Sequence, residues 1–423
     1  MSKVVMLGHP APGHINPTLP VIAELVRRGE EVSYYATEPF RAKVEAVGAA
    51  FRPYGAHDLF ERNLASGGML GGMAGLIETT EVILPELLAS VRAEAPDYLL
   101  VEAHAVWGNL VAQILGIPAA TICSMFAINE GLIAPHELLG HLYGGAPRGL
   151  AFDGLIGFSR YYEIARRLNQ HYDVSVPDLV DYLGNRQALN IVCTSRDFQI
   201  GGERFDDSYV FVGPSLSSFV GSSPAAGSER EWTTERPLIY VSMGTMYNDE
   251  AALYRACFEA FGGGPYQVVM AVGHRIDRSL LPEAPANVLV REYVPQMDVL
   301  RCASLFVTHG GINSAHEAML CGVPMIVLPK AADHFVVAER VAAVGAGIVL
   351  HRAEATAARL VELTDRVVAD PAYRERSAAV GQSLREAGGA ARAADEIQRH
   401  ARAGVTRRLV RAAAFEPSVD HQE

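Results

Sequence analysis

Short apolar runs alternate along this chain with longer amphipathic stretches, and the alternation is regular enough to predict the fold. Val4–Leu7 is an apolar run of strand length. After a Gly/Pro-rich turn, Leu19–Arg28 carries apolar residues at helical spacing and stops at Gly29. Glu31–Ala36 reads as a second strand. Strand, loop, helix and strand in that order form the βαβ unit of a parallel sheet, whose strands are apolar on both faces because helices cover both. The pattern continues with a strand at Tyr98–Val101, a helix at Trp107–Leu115 closed by Gly116, and strands at Ala119–Cys123, Asn190–Thr194 and Tyr209–Val212. Between Phe126 and Leu183 the text changes to helical segments rich in Tyr, His and Arg, separated by turns such as Gly140–Gly149. This stretch is expected to be an insertion lining a cleft.

Residues 213–236, GPSLSSFVGSSPAAGSEREWTTER, have the Gly/Pro/Ser/Ala and charge content of a linker. A second α/β series follows: strand Leu238–Ser242, helix Glu250–Phe261, strand Gln267–Val272, then strands at Asn287–Arg291, Leu305–Thr308, Met325–Leu328 and Ile348–Leu350. The fold class expected is α/β, with two doubly wound Rossmann-like domains facing across a cleft. The boundaries expected are 1–213 for the first domain, 214–236 for the linker, 237–400 for the second domain and 401–423 for a tail that packs back or frays. Ligands of such sheets bind beyond the carboxyl ends of the strands.

Composition narrows the partners. The 423 residues carry a formal net charge of −12, which disfavours nucleic acid and anionic lipid. The start, Met1–Pro10, lacks the apolar length and cleavage site of a signal peptide, and no apolar stretch reaches the roughly 18 residues of a membrane span. Five scattered cysteines without a CxxC pair read as reduced thiols of a cytoplasmic protein. Spacing reveals no metal-ligand cluster, so no metal is expected.

Two constellations carry chemistry. GHPAPGHINP (8–17) joins the first strand to the first helix and is no dinucleotide fingerprint. His14 lies near the helix start, either as a general base or as a residue that packs against the turn. A base needs an acceptor to orient its other nitrogen. Glu102, at the end of a neighbouring strand, is either that acceptor or a solvated loop carboxylate, and His104 competes for it. The second constellation is THGGINSAHEAMLCGVPMIVLP (308–329). Gly310 and Gly311 let main-chain amides approach a ligand, the helix start adds unsatisfied N–H groups and a positive dipole end, and His309, Asn313 and Ser314 add donors. This is the make-up of a diphosphate site. Ser314 and Glu317 also spell a capping box, a purely structural alternative for those two residues. Ser242, Gly244 and Thr245 follow the first strand of the second domain and are positioned to add amides and hydroxyls. Val294 and Gln296 are placed to address a base edge and a ribose. Asp333 brings a carboxylate to the same sheet edge, which suits neutral sugar hydroxyls.

Strand–GHxNP–helix, VPQ, FVTHGGxNSxxE and P-x-x-x-D, in that order, resemble GT-B glycosyltransferases, most closely the bacterial macrolide-type group of the UDP-glycosyltransferase family. The likeness spans nearly the whole chain, including CSMFAINE (123–130) and REAGGAARAADEI (385–397). It implies inverting, metal-independent transfer of a hexose, glucose above all, from a UDP- or TDP-sugar co-substrate to a hydroxyl of a lipophilic natural product, with no cofactor. It also implies His14 as base and Glu102 in place of the family's orienting Asp. Val294 and Gln296 match the nucleoside segment; His309, Gly311, Asn313 and Ser314 the diphosphate cradle; Glu317 the ribose ligand; and Asp333 the sugar ligand. His334 stands where the family often has Gln. The acceptor pocket is expected from apolar loops around Met69–Ile83 and Ile128–Tyr143, and the assembly is expected to be a monomer or homodimer. Against this reading stand a nucleotide-sugar epimerase and a non-catalytic sugar-nucleotide binder.

Overall fold

A computed structural model describes residues 1–55, 59–60, 69–128, 148–177, 181, 184–214, 232, 235–244, 248–330 and 332–414. Two compact units emerge: Met1–Cys193 with Glu203–Ser215 and Gly388–Glu423, and Thr194–Gly202 with Leu216–Ala387.

The first unit is built on seven strands: β1 (Lys3–Leu7), β2 (Glu31–Ala36), β3 (Ala50–Pro53), β4 (Tyr98–Glu102), β5 (Ala119–Cys123), β6 (Asn190–Val192) and β7 (Tyr209–Phe211). All pair in parallel, in the order β3-β2-β1-β4-β5-β6-β7. Helices α1 (Pro12–Arg27), α2 (Arg41–Ala46), α3 (Met69–Glu94), α4 (Val106–Leu115) and α5 (Arg148–Tyr172) accompany them. Apolar clusters lie on the two faces of the sheet. One gathers Leu99, Val101, Trp107 and Leu110 with Leu84 and Leu88; the other gathers Val4, Met6 and Leu100 with Val21, Ile22 and Leu25.

Three expectations change here. Helix α1 begins at Pro12, well before Leu19, with Pro17 and Pro20 inside it. A proline at the first helical position is tolerated, because that amide has no intrahelical partner anyway, and the two internal prolines hid the first turns from periodicity. His14 therefore lies on a helical turn and not in a loop. Met69–Ile83, expected as an acceptor loop, is the start of the 26-residue helix α3. Its glycine-rich opening masks a stripe in which Ile77, Leu84 and Val91 are buried. Strand β3 was not expected at all: only one of its four residues, Phe51, is buried, so it carries no apolar run.

The second unit repeats the plan with six strands: β8 (Leu238–Ser242), β9 (Gln267–Ala271), β10 (Val288–Arg291), β11 (Ala303–Thr308), β12 (Met325–Val327) and β13 (Gly347–Val349). They too are parallel, in the order β10-β9-β8-β11-β12-β13. Its helices are α6 (Ala251–Phe261), α7 (Gln296–Leu300), α8 (Ile312–Leu320), α9 (Ala332–Ala343), α10 (Ala357–Ala369) and α11 (Pro371–Glu386). The last helix, α12 (Gly389–Ala414), belongs to the first unit. Ala393, Ala394 and Ile397 enter the cluster of Val21, Ile22 and Leu25, and Arg28 of the chain's opening binds Asp395 at 2.5 Å and the Ala391 carbonyl at 3.0 Å. The second unit thus ends at residue 387, where 400 was expected, because the small alanine face of α12 fits helix α1. No helix among the described residues is long and apolar enough to cross a membrane. Most of the expected linker, and residues 415–423 of the tail, lie outside the described residues.

Helix α11 crosses α8 where Gly381 meets the main chain; a Cβ at Gly381 would stand 1.9 Å from the Met319 carbonyl oxygen. Gly381→Ala should cost about 1–3 kcal/mol through overpacking, read by urea unfolding. Parent-like stability would mean that the helices do not make this contact.

Candidate functional site

In both sheets the chain turns outward in opposite directions from two neighbouring strands: β1 and β4 in the first, β8 and β11 in the second. Strand order reverses there, and the loops leaving the carboxyl ends diverge and leave a crevice. The candidate residues collect at these two points.

In the first unit Leu7 pairs with Val101, so the chain leaves β1 level with Glu102, the last residue of β4. His14 Nδ1 lies 2.9 Å from Glu102 Oε1. Ser124, the residue after β5, donates its hydroxyl to the same oxygen at 2.7 Å and lies 3.1 Å from His14 Nδ1. The backbone N–H of His104 donates to Glu102 Oε2 at 2.8 Å. Glu102 is wholly buried, and three donors surround the carboxylate, the condition under which a buried charge is tolerable. Burial alone would raise the carboxyl's pKa. The charge of His14 and the hydrogen bonds from His104 and His14 outweigh it and hold the group well below the usual carboxylate range. The His14 ring packs edge-on against His9 and His104, each at a centroid distance of 4.6 Å. Burial and the neighbouring His14 push buried His9 well below the ordinary histidine value.

Glu102 is therefore no solvated loop carboxylate, and the longer side chain reaches His14. His104 joins the same carboxylate through its main chain, with its Nδ1 3.7 Å from Oε1. An ionised carboxylate fixes the imidazole proton on Nδ1 and leaves Nε2 as the proton acceptor, the tautomer a general base requires. Ser124 lies inside CSMFAINE (123–130), which carries part of the resemblance, but sequence reasoning assigns it no role. One signal was available: it is the polar residue directly after an apolar strand beside β4. Spacing showed no metal ligands, whereas the fold brings ligand atoms of His14, Glu102 and His104 within 4.8 Å of one another.

In the second unit Ser242 pairs with Thr308, which sets the loop after β8 beside His309. The buried His309 ring fills the space between two glycines: a Cβ at Gly244 would stand 2.5 Å from its Cε1, and one at Gly311 2.7 Å from its Nε2. Gly244 also has φ of +74°, a conformation that side chains disfavour. These glycines thus make room for the histidine as well as thinning the loop. Burial, with the nearby His334, lowers His309 to about 3, so its ring is neutral at pH 7. The His309 and His334 rings meet edge-on at 4.6 Å, and His334 too is buried and lowered, first by desolvation.

Helix α8 starts after Gly311 without a side-chain cap. Ser314 lies inside its first turn and Glu317 reaches elsewhere, so the capping box is not formed. Gln296 Nε2 donates to Glu317 Oε2 at 2.6 Å and to Ser314 Oγ at 3.2 Å, while Tyr240 donates its hydroxyl to Gln296 Oε1 at 3.1 Å. Gln296, Ser314 and Glu317 thus form one patch beside the helix start. Burial raises the Glu317 carboxyl. Val294 is buried. Asn313 occupies the first turn of α8, and Asp333 the first turn of α9, with Oδ2 3.8 Å from His334 Nε2. Lys330, at the same sheet edge, pairs with Asp249 at 2.8 Å and with Glu250 at 2.5 Å, and Arg352 closes on Glu250. Thr245 and most of Ile128–Tyr143 lie outside the described residues.

Residues 265–397 match the model of the C-terminal domain of erythromycin biosynthesis protein CIII-like proteins. Over 405 residues, covering 94% of this chain and 97% of the relative, the sequence is 34% identical to YojK of Bacillus subtilis (strain 168), described as a UDP-glucosyltransferase. This chain belongs to the GT-B UDP-glycosyltransferase family. Within it, the glycosyltransferase is of the macrolide and natural-product type. It is 32% identical to the demethyllactenocin mycarosyltransferase of Streptomyces fradiae, over 94% of this chain and 86% of that one. Its backbone matches the crystal structure of the kitacinnamycin glycotransferase with a TM-score of 0.80 and 28% identity, over 94% and 98% of the two chains. The two Rossmann-like units expected from the sequence are those of the GT-B fold.

One consequence concerns acid. His316 of α8 is fully buried, with Nε2 2.9 Å from Thr194 Oγ1, and desolvation lowers it from 6.5 to about 3. In the unfolded chain it titrates near its ordinary value. Between pH 6.5 and 3 the unfolded state therefore binds the extra proton, and stability falls as pH falls. Each histidine held neutral contributes a slope of up to about 1.4 kcal/mol per pH unit in that window and none above it. His316→Gln should flatten the fall in urea stability between pH 6.5 and 5. An unchanged slope would mean that His316 is not held neutral.

Proposed function

We propose that this glycosyltransferase transfers a hexose, glucose in the first instance, from a UDP-sugar to a hydroxyl of a lipophilic macrolide-like product, with inversion at the anomeric carbon. The observation that carries the reading is the His14–Glu102 pair, an imidazole oriented by a buried carboxylate at 2.9 Å. His14 Nε2 takes the proton of the acceptor hydroxyl as its oxygen attacks the anomeric carbon. The bond from that carbon to the diphosphate oxygen breaks, and the nucleoside diphosphate leaves. In-line attack gives inversion. Glu102 stabilises the imidazolium, and Ser124 and the His104 amide keep the carboxylate in place.

The negative charge on the leaving group falls on the uncapped start of α8, where the first-turn amides and the dipole of Ile312–Leu320 act without a cation. Neutral His309 is a hydrogen-bonding partner there and not a fixed positive charge. Gln296, Ser314 and Glu317 form the nucleoside side of the site, with the ribose hydroxyls donating to Glu317. Asp333 and His334 address the sugar, with Ser242, Gly244, Asn313 and Val294 completing the lining. Among the described residues at this edge, Lys330 and Arg352 are paired with Asp249 and Glu250, a balance of charge that favours a neutral hexose over an acidic sugar.

The test is release of UDP from UDP-glucose with and without a macrolide or flavonoid acceptor, followed by mass spectrometry. Acceptor-dependent release with a product heavier by one hexose supports transfer. Acceptor-free conversion of the sugar would instead indicate an epimerase, and binding without turnover a passive binder. His14→Ala should lower kcat by 10²–10⁴ with donor affinity retained; unchanged turnover rules out the base. Ser124→Ala should cost about 1.5–3 kcal/mol in barrier, the worth of one hydrogen bond to a charged partner. Glu102→Asp should keep measurable activity, whereas a fully active Glu102→Ala would show that the carboxylate orients nothing.

A further inference from the structure

We propose that His14, Glu102 and His104 form a binding site for a zinc-class divalent cation, which switches the base off when it binds. One ligand atom from each residue lies within 4.8 Å of the others. His14 Nδ1 and His104 Nδ1 stand 2.9 and 3.7 Å from Glu102 Oε1. Zinc bonds of about 2.0–2.2 Å put neighbouring corners of a tetrahedron roughly 3.3–3.6 Å apart, between those two values. Ser124 Oγ lies beside two of these atoms, 2.7 Å from Glu102 Oε1 and 3.1 Å from His14 Nδ1; a solvent molecule or this hydroxyl would complete four-coordination.

A second observation points to a ligand. His104 Nδ1 is buried and has no hydrogen-bond partner among the described residues. At 3.7 Å the carboxylate is too far for a hydrogen bond, yet the nitrogen belongs to the same cluster. The His14 and His104 side chains keep 16% and 24% of their surface exposed, enough for an ion to enter from solvent. Two imidazole nitrogens and one carboxylate oxygen in a compact set suit Zn²⁺ or Co²⁺ and not Mg²⁺ or Ca²⁺, which take oxygen ligands in larger number.

The effect on the base follows from the tautomer. A cation on His14 takes the Nδ1 lone pair, so that nitrogen gives up its proton to solvent. Nε2 takes one from solvent, and the ring stays neutral. The hydrogen now sits on the nitrogen that would accept the acceptor's proton, and the base is lost. Only this consequence rests on the proposed transferase reading; the site itself does not.

The probe is Co²⁺, titrated into the full-length protein without donor or acceptor and followed by its visible ligand-field absorption. The expected result is an intense four-coordinate band saturating at one ion per chain, removed by Zn²⁺ and not by Mg²⁺. His104→Gln should weaken Co²⁺ binding at least tenfold. No band, or equal affinity in His104→Gln, overturns the site. X-ray absorption of the zinc-loaded parent reads the ligands without any variant, and fewer than two imidazoles per zinc also overturns it. In the transfer assay Zn²⁺ should inhibit in step with Co²⁺-site occupancy, and full turnover at saturation overturns the switch while leaving the site. If no transfer is found with any acceptor, the two spectroscopic results still decide the site.

Discussion

The structure depends on one topological constraint: a parallel sheet whose strand order reverses. Parallel neighbours require crossover connections, and these run one way from β1 and β8 and the other way from β4 and β11. No helix can cover the point of divergence, so the strand ends there stay open. The candidate polar residues of each unit collect at that opening. Every assigned residue of the first unit's cluster leaves β1, β4 or β5, three strands adjacent in the sheet. The second unit places His309 and Ser242 at the corresponding ends of β11 and β8.

The two openings solve opposite electrostatic problems. In the first, a buried carboxylate is kept ionised by donors converging on both oxygens, at 2.9, 2.7 and 2.8 Å. An unpartnered charge at such a depth would cost several kcal/mol, so the donors and the carboxylate are mutually dependent. In the second, burial keeps His309 neutral, and the positive potential comes from the uncapped start of α8. A site of that kind tolerates an empty state, because amides without a ligand remain solvated, whereas a fixed buried cation would not.

In the second unit, loop geometry and side-chain contacts are tied together. Gly244 and Gly311 are small because the His309 ring occupies the volume a methyl group would need. Gln296, fixed at one end by Tyr240, spends its amide on Glu317 and Ser314. Tyr240 is itself stacked on Phe306, at 4.8 Å and 12°. The packing of β8 against β11 therefore reaches into the hydrogen bonds of the candidate nucleoside site.

The sequence by itself determined the α/β class, the two-unit plan and nearly every buried strand, and it singled out the candidate motif residues from His14 to His334. Apolar runs of strand length and glycine-bounded helical periodicity are local signals, and this sheet is buried on both faces. Periodicity failed where local signals conflict with tertiary ones: the proline-rich start of α1, the glycine-rich start of α3 and the mostly exposed strand β3. Only the tertiary structure decided that Glu102 reaches His14 across 88 positions of sequence, that Ser124 and His104 share the carboxylate, and that Glu317 binds Gln296 instead of capping its helix. It alone decided that α12 returns to the first unit. These are contacts between residues far apart in the chain. Their formation depends on strand order and register, which a linear pattern of apolar and polar residues does not encode.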